Sequence, residues 1–434
     1  MSPISAGIIG ILLMLVFFFL GMPIAFAMGL GGFLGLVFIM GLEPAISSIV
    51  IKIYASCSDF SFTVIPFFIL MGEFAGVSGL AMDIYKAFDR WLRWLPGGLG
   101  LATIGGCGLF GAICGSSVAN AATMGAVALP EMRRYQYDES LATGIVAAGG
   151  TLGFLIPPSV ALVVYAIISE ESVGKLLVAG ILPGVLLAIA FMIIIIVRVK
   201  LNPNLIKSGV ERVTWKERMS ALKRVWGVLL VFMLVMGGIY LGFFTPTEAG
   251  AVGAASLFVI AIGRRKLSLP ILIQSLRASA QVVSMLFFII ITAFIFSDLL
   301  AVSRIPTLLS ESIAALQVSR YVVLVIILLL FLLLGCLIES IPMLILTMPI
   351  LLPVVKQLGF HPIWFGIVSV LMVEAALITP PVGLNVYVIG GVAKDTSLAT
   401  IFRGVTPFLI GIFVVEIIIT IFPSICLVLA GMMK

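Results

Sequence analysis

The chain has 434 residues, of which 62% are hydrophobic and only 10% are charged. Charged residues make up about a quarter of an ordinary soluble domain, so one soluble core could not bury this much apolar surface. This composition excludes a water-soluble globule and predicts an all-α polytopic membrane protein. A transmembrane β-barrel is disfavoured, because its strands would alternate apolar and polar residues in short segments. The net charge of +6 is spread over loops and therefore indicates topology.

The sequence lacks the motifs of common enzymes. It has one His, outside the apolar runs, and contains neither an HExxH zinc motif nor a GxxxxGK[ST] phosphate-binding loop. Its five Cys form no CxxC pair. We therefore expect a protein that is not an enzyme and has no transition-metal site and no organic cofactor. Any transport would have to be driven by an ion gradient.

Apolar runs follow one another along the whole chain. Most have about the 20 residues that one membrane-crossing helix needs. The segments 42–60, 81–95 and 268–281 mix apolar and polar residues and are predicted to lie along the membrane surface as amphipathic helices. The apolar runs are 5–21, 23–41, 62–79, 99–130, 140–169, 176–197, 225–242, 246–263, 282–300, 321–356, 363–393 and 404–432.

Two of these runs are too long for one crossing and contain small or polar residues near their centres. The sequence GSS at 115–117 interrupts 99–130, and ESIP at 339–342 interrupts 321–356. Each half-run has about 16 residues, or roughly 24 Å of helix, which is shorter than a hydrocarbon core of about 30 Å. Both runs are therefore predicted to be re-entrant helical hairpins.

Two further runs are broken by a double proline and reveal an internal repeat. The segments LIPPSVALVVY (155–165) and LITPPVGLNVY (377–387) share seven identities in eleven positions at an offset of 222. Proline removes an amide donor and leaves carbonyl groups unpaired. At membrane depth such backbone is tolerated only where it faces protein or a water-filled cavity. Each half of the chain thus contains a hairpin followed by a Pro-broken helix.

The basic residues indicate how the two halves are oriented. The stretch 198–224 holds eight Lys or Arg and is predicted to be cytoplasmic. If each hairpin returns to its own side, each half crosses the membrane five times, so the halves are inverted repeats, as in secondary transporters. The remaining cytoplasmic basic residues would be Lys86, Arg90, Arg93, Arg133, Arg134, Arg264, Arg265, Lys266, Arg277, Lys394 and Arg403, while Lys52, Lys175, Arg304, Arg320, Lys356 and Lys434 would lie outside.

Small polar residues cluster at the hairpin tips and the helix breaks. Hydroxyl and amide oxygens, together with freed backbone carbonyls, form good cages for a small hard cation, and helix N-termini at the tips favour anions. The alternatives are that small residues only allow close helix packing and that the prolines only shape the helices. The residues concerned are Ser116, Ser117, Asn120, Gly149, Gly150, Thr151, Ser340, Thr379 and Asn385.

Acidic residues inside the predicted spans are few. Glu73, Glu248 and Asp298 lie near span ends, which favours a solvated or capping role, whereas Glu339 at a tip and Glu374 before the second break are stronger candidates. No Lys, Arg or His within the spans is expected to pair with them. Neutral oxygen cages for sodium are therefore favoured over a proton relay.

Several separated segments resemble one family. The tip GSSVANAATMG, the breaks LIPPS and LITPPVGLN, IPFFILMGEFAGVSG (65–79) and TPTEAGAVGA (245–254) are similar to the large membrane subunit of tripartite ATP-independent periplasmic (TRAP) transporters. The resemblance covers essentially the whole chain. It implies sodium-driven import of an organic acid, such as a C4-dicarboxylate, a keto acid or sialic acid. It also implies location in the bacterial inner membrane, with both termini in the periplasm.

The resemblance further implies an elevator architecture and two partners, a periplasmic binding protein and a small four-helix membrane subunit. A mobile transport domain would move against a scaffold. The first repeat, 1–222, would contain scaffold helices in 1–95 and 176–222 and transport elements in 99–170. The second repeat, 223–434, would contain scaffold helices in 223–318 and 403–434 and transport elements in 320–393.

Site residues follow from the same resemblance. One sodium region would be formed by Ser116, Ser117, Asn120, Gly149, Gly150 and Thr151, and the other by Ser340, Thr379, Pro380, Val382 and Asn385. The substrate carboxylate would bind between the tips, where the candidate contacts are Ser116, Asn120, Pro158, Glu339, Ser340 and Asn385.

Other classes of transport protein remain as alternatives. One is a stand-alone sodium symporter for divalent anions that needs no binding protein. An anion channel or a structural membrane scaffold would belong to a different class, and counterflow would distinguish these from a carrier. The sequence does not identify the anion, the sodium stoichiometry or the oligomeric state.

Overall fold

The structure is a computed structural model that describes residues 2–207, 213–315 and 318–433. Within these ranges the chain is helical, and the one β-bridge is an isolated contact between Tyr137 and Ile206. The predicted all-α fold is confirmed. Arg212 and Lys434, two of the basic residues used to orient the chain, lie outside the described residues.

The described part of the first half contains the helices α1 to α12 in chain order. The predicted hairpin is formed by α6 and α7, and the predicted broken helix by α8, α9 and α10. The bounds are α1 (Pro3–Phe19), α2 (Ile24–Met40), α3 (Leu42–Ser58), α4 (Val64–Val77), α5 (Leu80–Leu92), α6 (Gly98–Cys114), α7 (Ser117–Arg134), α8 (Glu139–Gly150), α9 (Leu152–Leu155), α10 (Val160–Ser169), α11 (Val173–Ala179) and α12 (Ile181–Leu201).

The described part of the second half repeats this order of elements. Its hairpin is formed by α17 and α18, and its broken helix by α19 and α20. The bounds are α13 (Trp215–Tyr240), α14 (Pro246–Gly263), α15 (Leu269–Ser303), α16 (Ile305–Ala315), α17 (Arg320–Gly335), α18 (Ser340–Gln357), α19 (Pro362–Ala376), α20 (Leu384–Val392), α21 (Leu398–Ile421) and α22 (Ser424–Met432).

Local sequence explains where the hairpins turn. Gly115 ends α6 with φ at +65°, a left-handed conformation that glycine adopts without a steric penalty. Ser116 then caps α7, because its hydroxyl accepts a hydrogen bond from the amide of Ala119. In the second hairpin the chain leaves α17 after Gly335 and begins α18 at Ser340. Both predicted hairpins are confirmed.

Both broken helices are also confirmed. The first helix is interrupted between Leu155 and Val160, and the hydroxyl of Ser159 accepts from the amide of Leu162 to start the next segment. The second is interrupted after Ala376 and restarts beyond Gly383, whose φ is +58°. Each break contains a cis Pro-Pro peptide bond.

Two predicted spans differ from the observed helices. The segments 268–281 and 282–300 form one continuous helix, α15, of 35 residues. The run 404–432 is divided between α21 and α22, because Pro423 follows the last turn of α21 and cannot continue its hydrogen bonding. By length and composition, eight helical segments in the described ranges are suited to cross a membrane. The chain is therefore a multi-pass membrane protein.

The helices pack as two groups. One, which we call the scaffold group, contains α1 to α4 with α13 to α15. The other, which we call the hairpin group, contains the hairpins and broken helices. The helices α11, α12, α21 and α22 also pack mainly within the second group. Most of 176–201 and 403–433 therefore packs beside the hairpins and broken helices, and the division of the chain into scaffold and transport elements stays a prediction. Hydrophobic periodicity shows that a helix is apolar but does not identify its neighbour.

Short helices connect the two groups. In the first half, α5 packs on α6 and on α13. In the second half, α16 packs on α18 and meets α15. The sequence predicted a helix in 81–95 but did not predict the one at Ile305–Ala315. These short helices therefore lie between the two groups.

The closest crossing within the second group is expected to limit stability. A Cβ built on Gly404 would overlap the carbonyl oxygen of Ser140 and lie 3.0 Å from the Cα of Gly144. Gly404→Ala should therefore force α8 and α21 apart and cost about 1–3 kcal/mol. Thermal unfolding of the purified protein measures this cost. Gly237→Ala is the control, because a Cβ there meets nothing within 4 Å, and an equal loss in both variants would contradict the prediction.

Candidate transport site

A cavity of about 430 Å³ lies between the tips of the two hairpins. Ser116 and Thr123 line it from the first hairpin, and Glu339 and Pro342 line it from the second. Helices α4 and α15 of the other group close the remaining sides. The cavity thus lies where the two helix groups meet, and it brings together two predicted substrate contacts from opposite halves of the chain.

The positive potential in this cavity comes from backbone. The N-termini of α7 and α18 begin at the two tips, at Ser117 and Ser340, and helix N-termini carry partial positive charge that favours anions. No Lys or Arg is among the lining residues, while Glu73 and Glu339 are. An anion would therefore rely on backbone amides and on cations bound nearby.

Behind the first tip, side chains from both halves form a buried hydrogen-bonded network. The hydroxyl of Ser117 donates to Oε2 of Glu374 at 2.7 Å. Nδ2 of Asn385 donates to the hydroxyl of Ser117 at 2.9 Å and to the carbonyl of Ala147 at 3.4 Å. All three side chains are fully buried. The network therefore joins the first hairpin to both segments of the second broken helix.

Asn120 occupies a comparable position one turn along α7. Its Nδ2 donates to the carbonyls of Cys107 at 3.0 Å and Gly150 at 3.2 Å. Asn120 and Asn385 both use the Nδ2 group to donate hydrogen bonds, so the Oδ1 atom of each side chain is left as an acceptor. Within the described residues, neither Oδ1 atom has a hydrogen-bond partner, and neither does Oε1 of Glu374. Buried acceptor oxygens without donors suit a hard cation.

Glycines allow the backbone to approach this network. A Cβ on Gly150 would lie 3.1 Å from the carbonyl oxygen of Ser117 and 3.2 Å from Nδ2 of Asn385. A Cβ on Gly153 would lie 2.8 Å from the carbonyl oxygen of Ser116. The absence of side chains at these positions brings the first break against the first tip, so carbonyl oxygens and side-chain oxygens converge.

The other predicted site residues differ in their surroundings. Gly149 faces Cys107, the hydroxyl of Thr151 donates to the carbonyl of Ala148, and Pro158 is buried beside Gly115. Ser340 is buried, and its hydroxyl has no partner in the described part of the chain.

The second break is more open than the first. The hydroxyl of Thr379 donates to the carbonyl of Ala375, while Pro380 and Val382 are exposed. Pro157 and Pro158 of the first break are instead buried. The two halves thus share a sequence pattern but present different surroundings to a ligand.

The acidic residues in the spans have mixed roles. Glu248 forms a capping box with Thr245 at the start of α14, as expected for a capping residue. Asp298 forms an ion pair with Lys52 of α3 at 3.1 Å. Lys52 belongs to the segment 42–60, which was predicted to lie along the membrane surface and not within a span. Glu73 lines the cavity, although its position near a span end suggested solvation.

Glu416 is a further acidic residue of the spans and was not predicted from the sequence. This residue lies in α21, is 4% exposed, and neither of its carboxylate oxygens has a partner among the described residues. It lies outside the cavity between the tips. Glu416 is the single acidic residue in the apolar run 404–432. An ionisable residue inside an apolar run is the sequence signal that indicates a buried carboxylate of this kind.

Two hairpins whose tips meet at a cavity, which the first broken helix also lines, are typical of a membrane transport protein. A family model described as "Tripartite ATP-independent periplasmic transporter, DctM component" matches residues 11–425. The C4-dicarboxylate TRAP transporter large permease protein DctM of Pseudomonas aeruginosa is 37% identical, with 93% of each chain covered. The sialic acid TRAP transporter large permease protein SiaM of Vibrio cholerae is 31% identical, with 95% of each chain covered.

A solved structure supports the same architecture. The crystal structure of the Alcanivorax borkumensis YdaH transporter matches with a TM-score of 0.60 at 14% identity and covers 90% of this chain and 88% of that chain. At this identity the similarity concerns the fold alone. The family match and the permease relatives show more: the chain belongs to the DctM family, the large permeases of TRAP transporters.

Proposed function

We propose that this permease imports an organic acid anion across the bacterial inner membrane and couples import to sodium. The observation that carries the proposal is the pair of buried asparagines, Asn120 and Asn385. Both donate their amide hydrogens to the protein and leave Oδ1 without a partner among the described residues. Together with Oε1 of Glu374 and carbonyls near Gly150, these oxygens form an acceptor-rich region suited to sodium.

The anion is proposed to bind in the cavity between the hairpin tips. The N-termini of α7 and α18 border the cavity and supply partial positive charge. Sodium bound near Asn120 would add full positive charge where no Lys or Arg is present. The relatives are named for C4-dicarboxylate and sialic acid, and we propose a carboxylate substrate of one of these classes.

We propose that transport follows an elevator mechanism. The division into two helix groups supports this, because the buried network lies within the group that contains the hairpins and the cavity lies at the boundary of that group with α4 and α15. The connectors α5 and α16 would bend or tilt as that group slides against α4 and α15. Sodium and substrate would bind from the periplasm, and both would be released on the cytoplasmic side.

We further propose a periplasmic binding protein and a small four-helix membrane subunit as partners, and periplasmic positions for both termini. The family match favours this tripartite assembly over the stand-alone divalent-anion symporter. The scaffold group presents exposed apolar residues, such as Phe19, Leu20 and Tyr54, and part of this surface would contact the small subunit while the remainder faces lipid.

Reconstitution tests the tripartite proposal. Proteoliposomes containing this chain with the small subunit should take up labelled substrate in a sodium gradient only when the binding protein is added. The substrate can be found by screening organic acids against that binding protein for thermal stabilisation. Omission of each component in turn is the control. Full uptake without a binding protein would contradict the proposal and support the stand-alone symporter.

A further inference from the structure

A second cavity, of about 630 Å³, shares no lining residue with the cavity between the hairpin tips and is strongly charged. It is enclosed by α5, by the C-terminal end of α7 and by the first turns of α13. Helix α13 belongs to the scaffold group and α7 to the hairpin group, so the cavity spans the two groups. The positive-inside distribution of basic residues assigns this face to the cytoplasm.

The side chains that line this cavity carry more positive than negative charge. Five of them are basic and three are acidic. Arg93 pairs with Asp89, and Arg90 lies 3.6 Å from Glu217. No ion pair within the described residues is made by the other three basic residues, Lys86, Arg134 and Arg224. Glu131 is the one lining carboxylate left after the two pairs. Among the lining residues, basic groups therefore outnumber acidic groups by two.

A buried hydroxyl provides an independent indication of a ligand. Tyr85 lines the cavity and is 2% exposed, yet its hydroxyl has no hydrogen-bond partner among the described residues. Burial, with a smaller contribution from Asp89, raises the pKa of Tyr85 well above its ordinary value. The hydroxyl is thus a neutral donor that lacks an acceptor, and a buried donor without an acceptor is unfavourable until a ligand supplies one.

Tryptophans beside the cavity indicate its depth in the membrane. The rings of Trp91 and Trp215 meet edge to face at 5.7 Å, and Nε1 of Trp91 donates to the carbonyl of Arg218. Trp94 and Trp215 are 60% and 64% exposed. Exposed tryptophans concentrate at the level of lipid head groups. The cavity therefore opens where the phosphates of the cytoplasmic leaflet lie.

We propose that this cavity binds the phosphate head group of an anionic phospholipid. Lys86, Arg134 and Arg224 would surround the phosphate, and the Tyr85 hydroxyl would donate to one of its oxygens. Because the site joins α13 to α7, a bound lipid would connect the scaffold group to the first hairpin. The sodium and substrate sites are not involved, so this inference does not depend on the proposed function.

Lipid binding to the purified full-length chain tests the proposal directly. The midpoint of thermal unfolding is measured in detergent with increasing dioleoylphosphatidylglycerol, with dioleoylphosphatidylcholine and with inorganic phosphate. Phosphatidylglycerol alone should raise the midpoint. Lys86→Gln/Arg134→Gln/Arg224→Gln should weaken the apparent affinity on the order of 100-fold, because each basic residue near anionic lipid contributes about 1 kcal/mol.

The controls separate a built site from general charge attraction. Arg265→Gln/Lys266→Gln/Arg277→Gln removes the same charge from exposed positions that do not line the cavity, and it should leave the affinity unchanged. Tyr85→Phe removes only the hydroxyl and should weaken binding about 2- to 10-fold. Equal losses in both triple variants, unchanged affinity in Tyr85→Phe, no response to phosphatidylglycerol, or an equal response to inorganic phosphate would each overturn the lipid site.

Discussion

Asn385→Ala should lower sodium-stimulated uptake in proteoliposomes by roughly 10- to 100-fold at a fixed sodium concentration. The reason is that Oδ1 of Asn385 is a buried acceptor without a partner in the described residues, and an interaction with a charged group at such a site is worth about 1.5–3 kcal/mol. Asn120→Ala should have a similar effect from the first hairpin. Higher sodium should partly restore uptake in both variants.

The matched control for these substitutions is Asn202→Ala. Asn202 is exposed and follows α12, so the same chemical change there should not alter uptake. Because Asn120 and Asn385 are buried, the folded fraction of each variant must be checked by size-exclusion chromatography and thermal unfolding. Normal sodium stimulation in well-folded Asn120→Ala and Asn385→Ala would remove both residues from the sodium site.

A disulfide between the two helix groups should stop transport. Helix α4 crosses the first hairpin at Gly72, where a built Cβ lies 2.5 Å from the carbonyl oxygen and 3.6 Å from the Cα of Cys114. Because the new Cβ would lie 3.6 Å from the Cα of Cys114, a small shift of α4 away from the carbonyl oxygen would bring the thiol of Gly72→Cys within disulfide reach of the native Cys114. If the hairpin group slides against α4, oxidation should reduce uptake to background, on the order of 100-fold or more.

Reduction with dithiothreitol should restore uptake, which distinguishes the cross-link from steric damage by the new side chain. Gly72→Cys/Cys114→Ser is the control, because it keeps the new thiol and removes its partner. Oxidation should leave the uptake of this control unchanged relative to its reduced state. Cross-linked protein, verified by mass spectrometry, that transports as fast as the reduced form would contradict the elevator mechanism.

The elements of this fold could be predicted from sequence because membrane burial leaves few choices for the backbone. Backbone groups freed by an interruption must find other partners at membrane depth. The glycine and two serines at 115–117 and the prolines at 157–158 and 380–381 therefore marked the observed interruptions. The repeat then identified corresponding elements in both halves. These features depend on local sequence and on helix length.

The pairing of elements depends on three-dimensional packing and could not be obtained in the same way. Repeat symmetry grouped Asn385 with Ser340 of its own half, but in the structure Asn385 donates to Ser117 of the other half. Glu374 accepts from the same Ser117. Helix α21 packs on α8, although its sequence is equally suited to face lipid. Apolar patterns give no preference between these partners.

The basic residues likewise predicted the orientation of the chain but not the cavity that some of them line. The basic residues of α5, α7 and α13 were interpreted only as indicators of orientation, because they are distant in sequence. The fold brings Lys86, Arg134 and Arg224 to one cavity together with the buried hydroxyl of Tyr85. A topological signal and a candidate binding site therefore involve the same residues.

Sodium coupling is the central claim, and the ion dependence of uptake tests it most directly. Proteoliposomes with this chain, the small subunit and substrate-loaded binding protein should accumulate substrate when an inward sodium gradient is imposed. Potassium or proton gradients of equal size should not support accumulation, and uptake should rise with sodium in a cooperative manner if more than one ion binds. Equal accumulation in sodium-free buffer driven by a proton gradient would contradict the claim.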